Sequence, residues 1–291
     1  MKLLFGLLLG LFIPLISEAQ TGFSSDPLQA EFITRDVDHF WAAFDSLGKT
    51  KGNPFVRYVQ QGSPGLKGFI PNRIVSAEEL YAKVLERKAD YLKARHVLKD
   101  LAQKEKAVKA VYSAMKYWYP AAKFPPVYFV VGRLNSGGTV SENGIILGVE
   151  MMKNLDGLVP LIAHELIHFQ QKFLDQQTTL LAACIMEGSA DFIGELISGV
   201  NSNPTPFAYG EAHSDALSKE FVQVMNSEQY QDWLYGTSGK DQRPNDVGYW
   251  MGYKIAAAYF QQATDKHAAI REMLDLNNAS KVMRESGYLN Q

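Results

Sequence analysis

His164-Glu165-Leu166-Ile167-His168 decides how the rest of this chain is read. Residues four apart on a helix lie about one turn above each other. Both imidazoles therefore project from one face, and two ring nitrogens can reach one metal ion. Glu165, between them, can lean over the open side of that ion. After eighteen further residues comes Glu187-Gly188-Ser189-Ala190-Asp191, which can supply a carboxylate from a second helix. Two histidines and one carboxylate leave a fourth position for water, the arrangement of catalytic rather than structural zinc.

The flanking segments read as helices. Gly157 to Phe173 (GLVPLIAHELIHFQQKF) has Asp156 as its N-cap and Pro160 tolerated in its first turn. Leu161, Ile162, Leu166, Ile167 and Phe169 bury it. Two histidines in so apolar a helix need polar partners, because buried donors left unpaired are costly. The second site helix spans Thr179 to Ser198, with Glu187, Asp191 and Glu195 at every fourth residue. Such a stripe ordinarily faces water. Here LLAACIM precedes Glu187, and Ala190, Phe192 and Ile193 surround Asp191, so these two carboxylates are expected to face something positive, with Glu195 left at the surface. Gly188 and Ala190 are small enough to let this helix approach the first closely. Glu187 is then the third ligand. Asp191 can accept a hydrogen bond from the distal nitrogen of a metal-bound histidine, His164, and fix its tautomer. Cys184, three residues before Glu187, is either close to the metal or an inert buried residue, and the second is the expectation.

The chain opens with Lys2, an apolar run from Leu3 to Ile16, and Ser17-Glu18-Ala19, which together form a secretory signal peptide cleaved after Ala19. The run is short for a membrane span, and no later segment is apolar enough for one. The mature protein is expected to be secreted or periplasmic, with no stable membrane insertion. A formal net charge of −2 gives no sign of nucleic acid as a partner. A single cysteine cannot make an intramolecular disulfide, so stability must come from packing and from the metal.

Along the chain, residues 26–48 carry helical spacing through Phe40, Phe44 and Leu47, and residues 49–75 form Gly- and Pro-rich turns around short helical pieces. Ser76-Ala77-Glu78-Glu79 is a capping box that opens a helical stretch to about Tyr119. Val127–Val131 and Gly144–Val149 read as strands, with Ser136-Gly137-Gly138-Thr139 as a flexible loop between them. The second strand can be an edge strand that holds an extended peptide beside the metal, one arm of a plain hairpin packed on the core, or both at once. Further helices are expected at about 206–227, near Trp233, at 247–264 and at 265–275. The fold class is an α-rich α+β, with a small sheet beside two metal-bearing helices and further helices N- and C-terminal to them. The organisation is a leader over 1–19, an N-terminal helical scaffold over 20–125 and a metal-binding region over 126–291.

HExxH followed by Glu187 and, four residues beyond it, Asp191 resembles the gluzincin metallopeptidases, of which thermolysin is the familiar member. SGGT at 136–139, ENGIILGVE at 142–150, HELIHFQQ at 164–171, EGSADFIGELISG at 187–199 and RPNDVGYWMGYKIAAAYF at 243–260 are similar to a group of predicted secreted bacterial zinc-dependent proteases. The resemblance covers roughly residues 125–290 and implies a zincin-like fold, one Zn2+ per chain and a peptide or protein substrate. The metzincin extension is missing, since Gln171 and Leu174 stand where its glycine and third histidine would be. The mechanism expected is attack by a metal-activated water, with Glu165 as general base passing the proton to the leaving amine. Related enzymes stabilise the oxyanion with a Tyr or His from the C-terminal part. The resemblance makes Tyr249 and Tyr253 the first candidates here, at most one of them facing the metal, with His213 and Arg243 next. Two other readings stay open: a non-catalytic binding protein on this fold, and a zinc hydrolase of a non-peptide amide or ester.

Overall fold

The computed structural model of the protein describes residues 22–172, 178–235 and 243–290. The leader and its cleavage point after Ala19 lie outside the described residues, as does Phe173 at the expected end of the histidine helix. The chain divides into two compact units, one ending at Phe169 and one starting at Gln170.

The first unit is built on a four-stranded sheet of β1 (Phe32–Ile33), β2 (Val127–Val130), β3 (Gly138–Ser141) and β4 (Gly144–Gly148), in the order β1-β2-β4-β3. β2 runs parallel to both β1 and β4, pairing Phe129 with Leu147, whereas β3 is antiparallel to β4 and pairs Thr139 with Ile146. Every residue of β2 and β4 is buried, which is why both read as unbroken apolar runs rather than as alternating strands. The sheet corrects three expectations. The two apolar strands are parallel neighbours, not a hairpin. Gly144–Gly148 is internal, so the edge strand is β3. And β3 begins at Gly138, inside the segment 136–139 read as a flexible loop, of which Ser136 and Gly137 stay outside the strand.

The helices of this unit are α1 (Arg35–Asp45), α2 (Phe55–Gln60), α3 (Pro64–Phe69), α4 (Ala77–Glu86), α5 (Lys88–Val97), α6 (Glu105–Trp118) and α7 (Leu158–Gln170). Ser76 caps α4 by accepting from the Glu79 amide at 3.1 Å, as the capping box predicts. The long helical stretch then breaks at Arg87 (φ −117°) and at Asp100 (φ −105°), so that it forms three helices and a 3-10 segment instead of one rod. The apolar face of α1 places Phe40 at 0% exposure, in ring contact with Phe55, Tyr58 and Tyr91. Burying such a ring stabilises the fold by roughly 1.5–3 kcal/mol. Two of these aromatics also fix the turn after β2. Tyr58 Oη donates to the Val131 carbonyl at 2.9 Å and accepts from the Val131 amide at 3.0 Å, and Tyr91 Oη donates to the Gly132 carbonyl at 2.8 Å.

The second unit is helical: α8 (Leu180–Ser198), α9 (Pro204–Ala212), α10 (Ser214–Val224), α11 (Val247–Gln262), α12 (Lys266–Met273) and α13 (Ala279–Ser286). The single helix expected over 206–227 is two, broken at His213 (φ −125°), and the segment at Trp233 is a turn closed by its amide on the Tyr230 carbonyl at 3.0 Å. Thr179 caps α8 through the Ala182 amide at 3.3 Å, and Gly199, in the left-handed region at φ 76°, ends it. α8 packs most extensively on α11, and the crossing is set by two glycines. A Cβ on Gly188 would lie 2.1 Å from the Gly252 carbonyl carbon, and one on Gly252 would lie 1.7 Å from the Cys184 carbonyl oxygen. Gly188 thus serves the approach of α8 to α11. Cys184 is fully buried against the same helix, with Sγ 2.7 Å from the position a Cβ on Gly248 would take.

Candidate metal centre

α7 puts both of its histidines on one face. The Nε2 atoms of His164 and His168 are 2.9 Å apart and the rings meet edge to face, with centroids 4.5 Å apart. Two nitrogens on one tetrahedral zinc, with bonds of about 2.0–2.1 Å, stand about 3.3 Å apart. The pair therefore has the spacing that a shared ion requires. His164 and Glu165 are both 7% exposed, and His168 is half-buried. Glu165 lies against the start of the edge strand: a Cβ at Gly138 would come within 2.5 Å of Glu165 Oε1. A side chain there would press on that carboxylate, which gives Gly138 a steric reason beyond loop flexibility, whereas a Cβ on Gly137 would meet nothing within 4 Å.

α8 carries Glu187 and Asp191, which are 6% and 2% exposed. Glu187 Oε1 accepts from Tyr235 Oη at 2.6 Å. Burial and the negative charge of Glu187 both push the Tyr235 phenol far up, so it remains a hydrogen-bond donor. The Tyr235 backbone is itself in the left-handed region (φ 55°), with its amide bound to Asp246 Oδ1 at 2.8 Å. Asp191 accepts from Ser202 Oγ at 2.6 Å and from Asn203 Nδ2 at 2.7 Å, one bond on each oxygen. Glu195, expected at the surface, is half-buried and accepts from Asn201 at 2.9 Å.

His164, His168 and Glu187 each offer one ligand atom, and those atoms lie within 4.8 Å of one another. Two imidazoles and a carboxylate fit zinc by donor type and by number. The two tyrosine candidates separate. Burial and then the charge of Glu187 raise the Tyr249 phenol, whereas Tyr253 packs on Phe192 and Phe207, and burial and then the charge of Glu195 push its phenol up to about 12. Their one-turn spacing on α11 puts one tyrosine beside Glu187 and the other one turn farther along. His213 is exposed and stacked on Tyr209, and Arg243 forms a bidentate pair with Glu220 at 3.0 Å while covering Trp233. Both are thus occupied by structural contacts. Burial, followed by the charge of Glu187, raises the Cys184 thiol, in keeping with an inert residue.

Sequence reasoning missed two groups. Tyr235 sits in a turn without helical or strand periodicity, so nothing in its surroundings distinguishes it from a surface tyrosine. Glu150, the last residue of ENGIILGVE, is 4% exposed, and burial pushes its carboxyl up to about 7 against the opposing hydrogen bonds from the backbone amides of Gly132 and Leu134. Its Oε2 has no hydrogen-bond partner among the described residues. An acid directly after a fully apolar strand was the available signal.

A family profile described as predicted Zn-dependent protease (DUF2268) matches residues 130–283, more than half of the chain and inclusive of every candidate site residue. Neither curated proteins nor solved structures give a match. No described helix is long and apolar enough to cross a membrane.

Proposed function

The chain belongs to this family of predicted Zn-dependent proteases, and on that premise we propose that it is an exported, gluzincin-type zinc metallopeptidase. The observation that carries the reading is the pair of α7 imidazoles with Nε2 atoms 2.9 Å apart, a spacing suited to one shared ion. In this reading His164, His168 and Glu187 hold one zinc per chain. Zinc, when bound, supplies the acidification of a water and the polarisation of a carbonyl. Glu165, next to His164 and against Gly138, takes the proton of the attacking water and delivers it to the leaving nitrogen. Tyr249 donates to the developing oxyanion, a role its raised phenol suits because it keeps its proton, and Tyr253 does not take part. Tyr235 positions Glu187 from behind, and Asp191 orients His164. The outer edge of β3 binds the substrate as an added strand. The leader before Gln20 accounts for export.

The decisive pair of measurements is zinc content and peptide hydrolysis for wild type and Glu165→Gln. The expected result is zinc in both proteins and turnover reduced by about 10³-fold in the variant, the scale of general-base loss. Turnover that survives in the variant would remove Glu165 from the mechanism. Zinc-loaded wild type that cleaves no peptide would leave the non-catalytic reading.

A further inference from the structure

Arg73 is fixed by its main chain and open at its side chain. Its carbonyl accepts from Arg133 Nε at 2.9 Å and from Asn135 Nδ2 at 3.0 Å, which ties Arg73 to the segment running into β3. Its Nε is buried, and among the described residues no hydrogen bond or ion pair engages the guanidinium. Asn135 Oδ1 is buried without a partner in the same way. Through Asn135 the Arg73 main chain joins the segment whose Gly138 abuts Glu165, and the charge of Glu165 opposes the effect of burial on the guanidinium. The two groups make no ion pair within 4.0 Å, so the guanidinium is not consumed by the general base. At Gly138, three residues after Asn135, any side chain would run into Glu165.

A partly buried cation without an anion is costly, and it is relieved when a ligand brings the anion. The planar fork of arginine matches a carboxylate with two parallel bonds. Asn135 Oδ1 supplies an acceptor for a peptide amide beside it. We propose that Arg73 is a substrate-binding residue that receives a peptide carboxylate next to Glu165, from a free C-terminus or from an acidic side chain. The proposal rests on the peptidase reading above. Arg73 lies before the stretch shared with the family, so the preference it confers belongs to this chain's N-terminal region.

The test uses zinc-loaded full-length mature protein with Arg73 intact, Arg73→Met and Arg73→Lys. The probes are a random dodecapeptide library as free acids or as C-terminal amides, and a second amidated library with Glu and Asp present or replaced by Gln and Asn. Hydrolysis is read as the ratio of kcat/KM within each pair, and binding as the ratio of Kd on the Glu165→Gln background. Wild type should favour the carboxylate-bearing member by about tenfold in one pair, the scale of one charge-assisted hydrogen bond. That pair identifies the source of the carboxylate. Arg73→Met should bring the ratio close to one at unchanged zinc content, and Arg73→Lys should keep part of it. No preference in wild type in either pair, or a preference that survives Arg73→Met, overturns the proposal. If no peptide is hydrolysed the peptidase reading fails, while the binding ratios still judge Arg73 separately.

Discussion

α8 surrounds its buried carboxylates with donors from its own unit: Tyr235 on Glu187, Ser202 and Asn203 on Asp191. α7 does the reverse and sets one imidazole Nε2 against another at 2.9 Å. A carboxylate held by a phenol is oriented before any ion arrives. Two facing imidazole nitrogens are both bases, and a proton or a cation between them completes the pair. The contrast is between an acid whose Oε1 already holds the Tyr235 hydroxyl and two Nε2 atoms that face each other at the spacing a shared ion would take.

The strongest way to break this contrast is to remove a ligand from each helix. Structural zinc sites are worth about 10–16 kcal/mol in total, so one ligand carries a share of about 3–4 kcal/mol. His168→Ala and Glu187→Ala should each weaken zinc binding by several hundredfold in competition with a chromophoric chelator. Equal retention of zinc after Glu187→Ala would exclude that carboxylate as a ligand. Next in size is the glycine crossing. Gly252→Ala forces a methyl group into the Cys184 carbonyl of α8 and should cost about 3 kcal/mol of unfolding free energy in urea. A cost near zero would show that α11 can slide away without loss.

A third experiment asks whether the sheet-bearing unit has buried charge unrelated to the metal. The Glu150 carboxyl is raised from 4.5 to about 7 in the folded protein, so between those values the folded state binds the proton that the unfolded state has released. Its contribution is therefore full below the lower value and is lost as pH rises through the upper one. Wild type should lose on the order of 2–3 kcal/mol relative to Glu150→Gln between pH 4 and pH 8. Parallel stability curves for the two proteins would refute this. The smallest effect expected is at Tyr235. Tyr235→Phe should lower zinc affinity by about tenfold, as loss of a group that supports a ligand does. An unchanged affinity would mean that Glu187 needs no help.

Much of the site was legible because its geometry is local. The helical rise alone brings His164 and His168 onto one face, and the apolar context of Glu187 and Asp191 marks them as buried. Likewise the apolar runs at 127–131 and 144–149 are short, rich in β-branched residues and bounded by Pro or Gly, which marks them as strands. What escaped depends on partners distant in sequence. β3 is Gly138-Thr139-Val140-Ser141, with little strand propensity of its own, and becomes a strand by pairing with β4. β1 has two residues, too few for any periodicity. Gly188 was visible as a small residue, but only the fold shows which helix it admits. Tyr249 and Tyr253 look alike in sequence, and it is the direction of α11 over Phe192 and Phe207 that tells them apart.

The thiol of Cys184 is the only one in the chain and is wedged at the glycine crossing of α8 and α11. Thiol reagents need both access and a thiolate, and the closed crossing denies them both. Labelling can therefore proceed only through excursions in which the two helices part. Its rate in the native protein reads the free energy of that opening, at one defined point and without background from a second cysteine. The residue that seemed chemically silent is thus a built-in clock for the breathing of the helix that carries Glu187.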